Sequence, residues 1–244
     1  MRWIKAGPQR TRDPPARGAS YSAPMPTLWD ISPAIHPGSP IFPGDTPFQQ
    51  RWDARIGAVS PVNLSTLTLS PHIGAHADAP LHYDPQGAAI GTLALEPYLG
   101  PCRVIHAIDP GPLVEWAHLA HAVGPHLPAR VLVRTRQHAA VAHWDARLTG
   151  LAPQTLERLA DHGVLLVGID SASVDPADSQ ELPSHQVLRR RHLRVLENLV
   201  LDAVPEGDYE LIALPLKLTT ADASPVRAVL RPLRVVSDTE NRHE

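Results

Sequence analysis

Proline occurs 27 times in this chain of 244 residues, with no low-complexity tract to absorb it. Each proline fixes its own φ, lacks an N–H and biases the preceding residue away from helix. A chain punctuated this often is expected to fold as many short elements joined by rigid turns. Apolar runs rich in β-branched residues fall near 28–32, 62–70, 102–108, 129–135, 164–170, 196–204, 209–219 and 227–236, and read as strands. Helical spacing is confined to two stretches. One covers 113–123 and stops before Gly124-Pro125; the other covers 154–162, after Pro153 and before Gly163. Each is followed by an apolar strand. The expected fold class is α/β, a single domain over 27–240 with a mixed β core and few helices. Residues 1–26 are rich in arginine and proline and lack apolar periodicity, so they are expected to be a disordered N-terminal extension.

Composition removes several classes of function. Formal net charge is −3 and apolar residues make up 43 %, so no basic stripe points to nucleic acid or an anionic membrane. No apolar run approaches the roughly 18 residues needed to span a bilayer. Cys102 is the only cysteine. An intrachain disulfide and a cysteine-based zinc site are therefore excluded, and a reducing, cytoplasmic location is expected. No G-x-S-x-G elbow supports serine nucleophilic catalysis.

The chain has 14 histidines, so chance pairs are common and a cluster must also have suitable neighbours. His72, His76, Asp78 and His82 fall in one short segment after the strand-like run 62–70. Pro71, Gly74 and Pro80 disfavour a helix there. In extended backbone, alternate residues share a face, so these four even-numbered side chains would converge. Gly74 would let a ligand or another backbone approach closely. Scattered surface histidines would not need the small spacers Gly74, Ala75, Ala77 and Ala79. Mixed imidazole and carboxylate donors suit Zn²⁺, Mn²⁺ or Fe²⁺.

The whole segment, Ser70-Pro71-His72-Ile73-Gly74-Ala75-His76-Ala77-Asp78-Ala79-Pro80-Leu81-His82, resembles the HxGTHxDxPxH signature of the cyclase family of metal-dependent hydrolases. Ala75 stands where threonine is commoner. The similarity is closest to the bacterial kynurenine formamidases. It extends to Leu28-Trp29-Asp30-Ile31-Ser32, Pro43-Gly44-Asp45-Thr46-Pro47-Phe48, Tyr209-Glu210-Leu211-Ile212-Ala213-Leu214-Pro215 and the stretch from Asp222-Ala223-Ser224-Pro225 to Leu230. It implies a swivelling β/β/α cyclase-like fold, a homodimer and two divalent metal ions per subunit, zinc first, with manganese compatible. The first ion would take His72 and His76, Asp78 would bridge both, and His185 and Glu197 would complete the second. Glu197 would also reach the first ion. His82 would carry a proton and not ligate. Phe42 replaces a tryptophan that lines the family's substrate pocket, keeping an aromatic face but losing area and the indole N–H. The reaction implied is hydrolysis of N-formyl-L-kynurenine to L-kynurenine and formate, in tryptophan degradation.

Other residues have weaker readings. Glu197 sits in the apolar run 193–204, where a buried carboxylate needs a partner. Asp170, ending a strand-like run, would either orient a ligand histidine or cap a turn. Thr219, Thr220 and Asp222 resemble a family segment near the site. Cys102, Trp116 and Trp144 read as packing residues. One alternative keeps the fold and metals but acts on an isatin-like or other cyclic amide. Another is a non-catalytic metal-binding protein, against which the additional nearby histidine His82 argues.

Overall fold

The computed structural model describes residues 28–233. The extension expected at 1–26 lies outside them. The strands, in chain order, are β1 (Trp29–Asp30), β2 (Gln49–Ala54), β3 (Leu64–Thr68), β4 (His76–Asp78), β5 (Leu99–His106), β6 (Leu113–Val114), β7 (Arg130–Arg134), β8 (Gly150–Leu151), β9 (Leu166–Ile169), β10 (Arg194–Glu197), β11 (Gly207–Ile212), β12 (Ala223–Pro225) and β13 (Val229–Pro232). The helices are α1 (Pro80–Tyr83), α2 (Trp116–Leu119), α3 (Pro153–Asp161) and α4 (Pro183–Arg191).

Nine strands form one sheet in the order β1-β13-β11-β5-β7-β9-β10-β4-β12. Its middle, β5-β7-β9-β10, is parallel, and both flanks are antiparallel. The expected mixed α/β architecture is what forms. The parallel strands are buried on both faces and alternate between them. Val131, Val133, Val167 and Ile169 share one cluster with Leu156 and Leu159 of α3 and Val187 and Leu188 of α4. Leu132, Leu166 and Leu196 point the other way, toward Tyr98, Leu211 and Leu230. Fully burying each Leu, Ile or Val is worth about 1.5–3 kcal/mol. Four-residue helices such as α2 have no stability alone, so this double-sided core positions everything else. Cys102 is fully buried on β5, as expected, and burial pushes its thiol up to about 12.

Several expectations change. The run at 62–70 becomes β3, which among the described residues pairs only with β2, in a separate hairpin. β2 itself is polar and mostly exposed, so it carries no apolar signal. The stretch 113–123 divides into β6 and the short α2, whose capping box joins Glu115 and His118. α3 forms close to its expected bounds and ends before Gly163, whose φ is +82°. α4 was not anticipated. The run 196–204 leaves the sheet at once, because Asn198 has φ +56°. Its Leu199, Leu201 and Val204 are buried as irregular chain.

Candidate metal centre

β4 lies between β10 and β12. His76 is in register with Glu197 of β10, and Asp78 with Ala223 of β12, one residue after Asp222. His76 and Asp78 are two apart and share a face. The fully extended path expected through His82 does not form. Residues 71–75 turn, and Pro80 opens α1 at its first position, carrying His82 on a helical turn. His72 and His82 still converge, with ring centroids 4.3 Å apart. Gly74 has φ +65°, and a Cβ there would lie 3.0 Å from Ile35 Cγ1. The close approach expected at that glycine is therefore made by a side chain of this chain. The Gly74 carbonyl accepts from His76 Nδ1 at 2.9 Å, which leaves Nε2 for the site.

The donors face one another closely. Asp78 Oδ1 is 3.1 Å from His72 Nδ1 and 3.4 Å from His76 Nε2, and Oδ2 is 3.5 Å from His185 Nε2. Glu197 Oε2 is 3.3 Å from His76 Nε2, and Oε1 is 3.9 Å from His185 Nε2. Asp222 Oδ2 lies 3.0 Å from His72 Nε2 and 3.2 Å from His82 Nδ1. The six residues singled out as ligands or proton carrier, His72, His76, Asp78, His82, His185 and Glu197, are thus brought together. Thr219 and Thr220 are in an exposed turn, and only Asp222 of that segment reaches the cluster.

The residues fit a divalent cation. Both Asp78 oxygens are buried and accept no hydrogen bond, although imidazole nitrogens surround them. A buried carboxylate left in that state is costly, and a cation among the donors relieves it. The sets His72–His76–Asp78, Asp78–His82–His185 and His72–His82–Asp222 each place their donor atoms within 4.8 Å of one another. Titration points the same way. Burial works against charge on His72 and His185. Asp78 and Asp222 override it at His72, raising that imidazole to about 9. Asp175 and Asp78 override it at His185, raising it to about 10. Burial would push Asp78 up, but His185, His72 and His76 hold it well below the usual carboxylate range. The pocket attracts positive charge.

Of the two roles open to Asp170, capping the chain is the one that forms. Asp170 accepts from the Thr135 amide and hydroxyl and the Arg136 amide, and touches no ligand histidine. Asp175 has the other role. It is fully buried, accepts from His185 Nδ1 at 2.7 Å, and takes the Ser184 and His185 amides at 2.9 and 3.0 Å. It therefore fixes both the start of α4 and the ring that α4 carries. Trp144, read as packing, packs edge to face on Phe42 with centroids 5.0 Å apart. Both rings line a cavity of about 370 Å³ together with His72, His76, His82 and His185, a volume within the range of small-molecule sites.

The Cyclase family model matches residues 29–176. The chain is 70 % identical over 207 residues to a protein of Paracidovorax citrulli named kynurenine formamidase, covering 84 % of this chain and 96 % of that one. A Bordetella pertussis protein of the same name is 63 % identical over 86 % of this chain and 100 % of its own. Among solved structures, a potential metal-dependent hydrolase with cyclase activity superposes with TM-score 0.73 at 25 % identity, covering 86 % of this chain and 100 % of that one. An isatin hydrolase bound to thioisatinate superposes with TM-score 0.72 at 22 % identity, covering 85 % and 92 %, a likeness of fold.

Proposed function

This chain belongs to the cyclase family of hydrolases, and from that premise we propose that it hydrolyses N-formyl-L-kynurenine to L-kynurenine and formate. The observation that carries this reading is the convergence of four imidazoles and three carboxylates beside the aromatic walls Phe42 and Trp144. The name shared by relatives at 60–70 % identity selects the substrate. In this reading the centre holds two divalent ions, zinc or else manganese. His72, His76 and Asp78 hold the first; Asp78, His185 and Glu197 hold the second. When bound, such ions supply water of lowered pKa and a Lewis acid for the formyl oxygen.

The chain's own groups do the rest. Phe42 and Trp144 hold the substrate ring and keep water from that side. Asp175 and the Gly74 carbonyl fix the rings of His185 and His76. Asp222 engages His82 Nδ1, so in the tautomer protonated there Nε2 is free to accept a proton. His82 takes that proton from the attacking water and returns it to the aryl nitrogen as the C–N bond breaks. The water oxygen joins the formyl carbon, giving formate and the free aryl amine.

Purified protein is expected to release formate from N-formylkynurenine, lose that activity on chelation and regain it with zinc or manganese. Elemental analysis is expected to find two equivalents per chain. No formate after metal is restored, with ring opening of isatin instead, would transfer the site to cyclic amides. One equivalent would sink the binuclear part.

We also place a second copy of the chain against the β2–β3 hairpin. Trp52 and Leu67 share one face of that hairpin and are 42 and 52 % exposed, apolar surface of the kind that marks an interface. Sedimentation velocity should return twice the 26.5 kDa chain mass; a monomer at micromolar concentration contradicts it.

A further inference from the structure

The cavity has a second charged cluster, away from the metal ligands. Between β7 and β8 the chain contributes Arg136, Trp144 and Asp145 to its lining. Arg136 Nη1 donates to Asp145 Oδ2 at 2.9 Å, and Nη2 donates to the Arg147 carbonyl at 2.5 Å. Asp145 is not Arg136's alone: Arg147 Nε and Nη2 donate to its two oxygens at 3.0 and 3.2 Å. One carboxylate is thus divided between two guanidiniums. Arg147 is 91 % exposed and is served by water, whereas Arg136 and Asp145 are each only 15 % exposed. A guanidinium has five N–H donors. Two of Arg136's are used as above, and its Nε is buried without an acceptor. The nearby Asp170 carboxyl is held by Thr135 and by the Arg136 amide, not by the guanidinium.

A largely desolvated guanidinium with unused donors in a cavity wall suits a carboxylate, which it grips bidentately. Trp144, the neighbour of Asp145, belongs to the aromatic wall, so one loop presents a ring surface and a cation side by side. We infer that Arg136, held in place by Asp145, receives the α-carboxylate of the substrate and makes the enzyme select aryl formamides that carry an amino-acid arm. This rests on the formamidase reading above and adds to it the group that recognises the end of the substrate remote from the formyl.

The test compares N-formylkynurenine with N-formylkynuramine, which lacks only the α-carboxylate, using the metal-loaded full chain. The wild type is expected to favour N-formylkynurenine roughly tenfold to a hundredfold in kcat/KM, mainly through KM, as a charged hydrogen-bonded pair provides. Arg136→Met should erase that preference by raising KM for N-formylkynurenine, leaving kcat/KM for N-formylkynuramine and the metal content unchanged. Arg136→Lys should restore part of it. Equal wild-type rates on the two substrates overturn the proposal without any variant. So does an Arg136→Met protein that loses both activities equally while Arg136→Lys restores no preference for N-formylkynurenine. Formate from neither substrate with wild type removes the formamidase reading itself, and the carboxylate subsite with it.

Discussion

Replacing Asp78 by alanine is expected to abolish metal binding and lower kcat/KM for N-formylkynurenine by at least about four orders of magnitude. The size follows from what a metal does to water, whose pKa falls from about 15.7 to near 7 on zinc; without it hydroxide is scarce at neutral pH. Asp78 is the residue to remove because its Oδ1 faces His72 and His76 while its Oδ2 faces His185. In the proposed binuclear centre it would join the two halves. Stability gives a second readout. Saturating wild type with zinc at a hundred times Kd should stabilise it by about 2.7 kcal/mol, whereas the variant should gain nothing. The substitution should also destabilise the metal-free protein, because it leaves His72 and His185, whose charged forms Asp78 favours, buried without that partner. Melting curves with and without zinc, beside elemental analysis, check all three statements. A variant that keeps two metal equivalents and most of its activity would remove Asp78 from the centre.

His82→Ala is expected to behave differently. Turnover should fall about a hundredfold to ten-thousandfold, the usual contribution of a positioned proton carrier, with KM changed little and metal content unchanged. The side chain is 34 % exposed, whereas His76 and His185 are 2 and 3 % exposed. A group that exchanges protons with water and product benefits from that access. Geometry also permits the opposite role, since His82 shares donor sets with His72 and Asp222, and with Asp78 and His185. The variant separates the two. Loss of one metal equivalent together with turnover would make His82 a ligand, and a normal rate would remove it from the mechanism.

Much of this was legible in the sequence, for identifiable reasons. His76 and Asp78 needed only the two-residue period of a strand, and that period is realised in β4. His72 and His82 were grouped correctly by a wrong route, since a turn and a proline-started helix bring them in where an extended chain was expected. Choosing His185 and Glu197 required the resemblance. α4 offered the proline start used to read α3, but only Ser184, His185, Val187 and Leu188 are buried on it, too sparse an apolar stripe to register. Asp175 follows a strand end of a kind that often borders sites, but neither it nor Trp144 had a local signal for the role it takes. Asp175 matters because it reaches the first turn of a helix eight residues later, and Trp144 because a loop places it on Phe42. Arg136 had none either, since its carboxylate partner lies nine residues on in that same loop.

The place of β4 in the sheet sets the order of events when the chain is made. Asp222 reaches His72 across 150 residues and His82 across 140, and β4 must be paired with β10 on one side and β12 on the other. A nascent chain still tethered before residue 222 therefore lacks part of the cluster however well its first half has collapsed. Pairings of such sequence separation form late and slowly. The ligands proposed for the metal all precede residue 198, so it is the support that Asp222 gives to His72 and His82, and not the ligand set, that waits for the last strands to close.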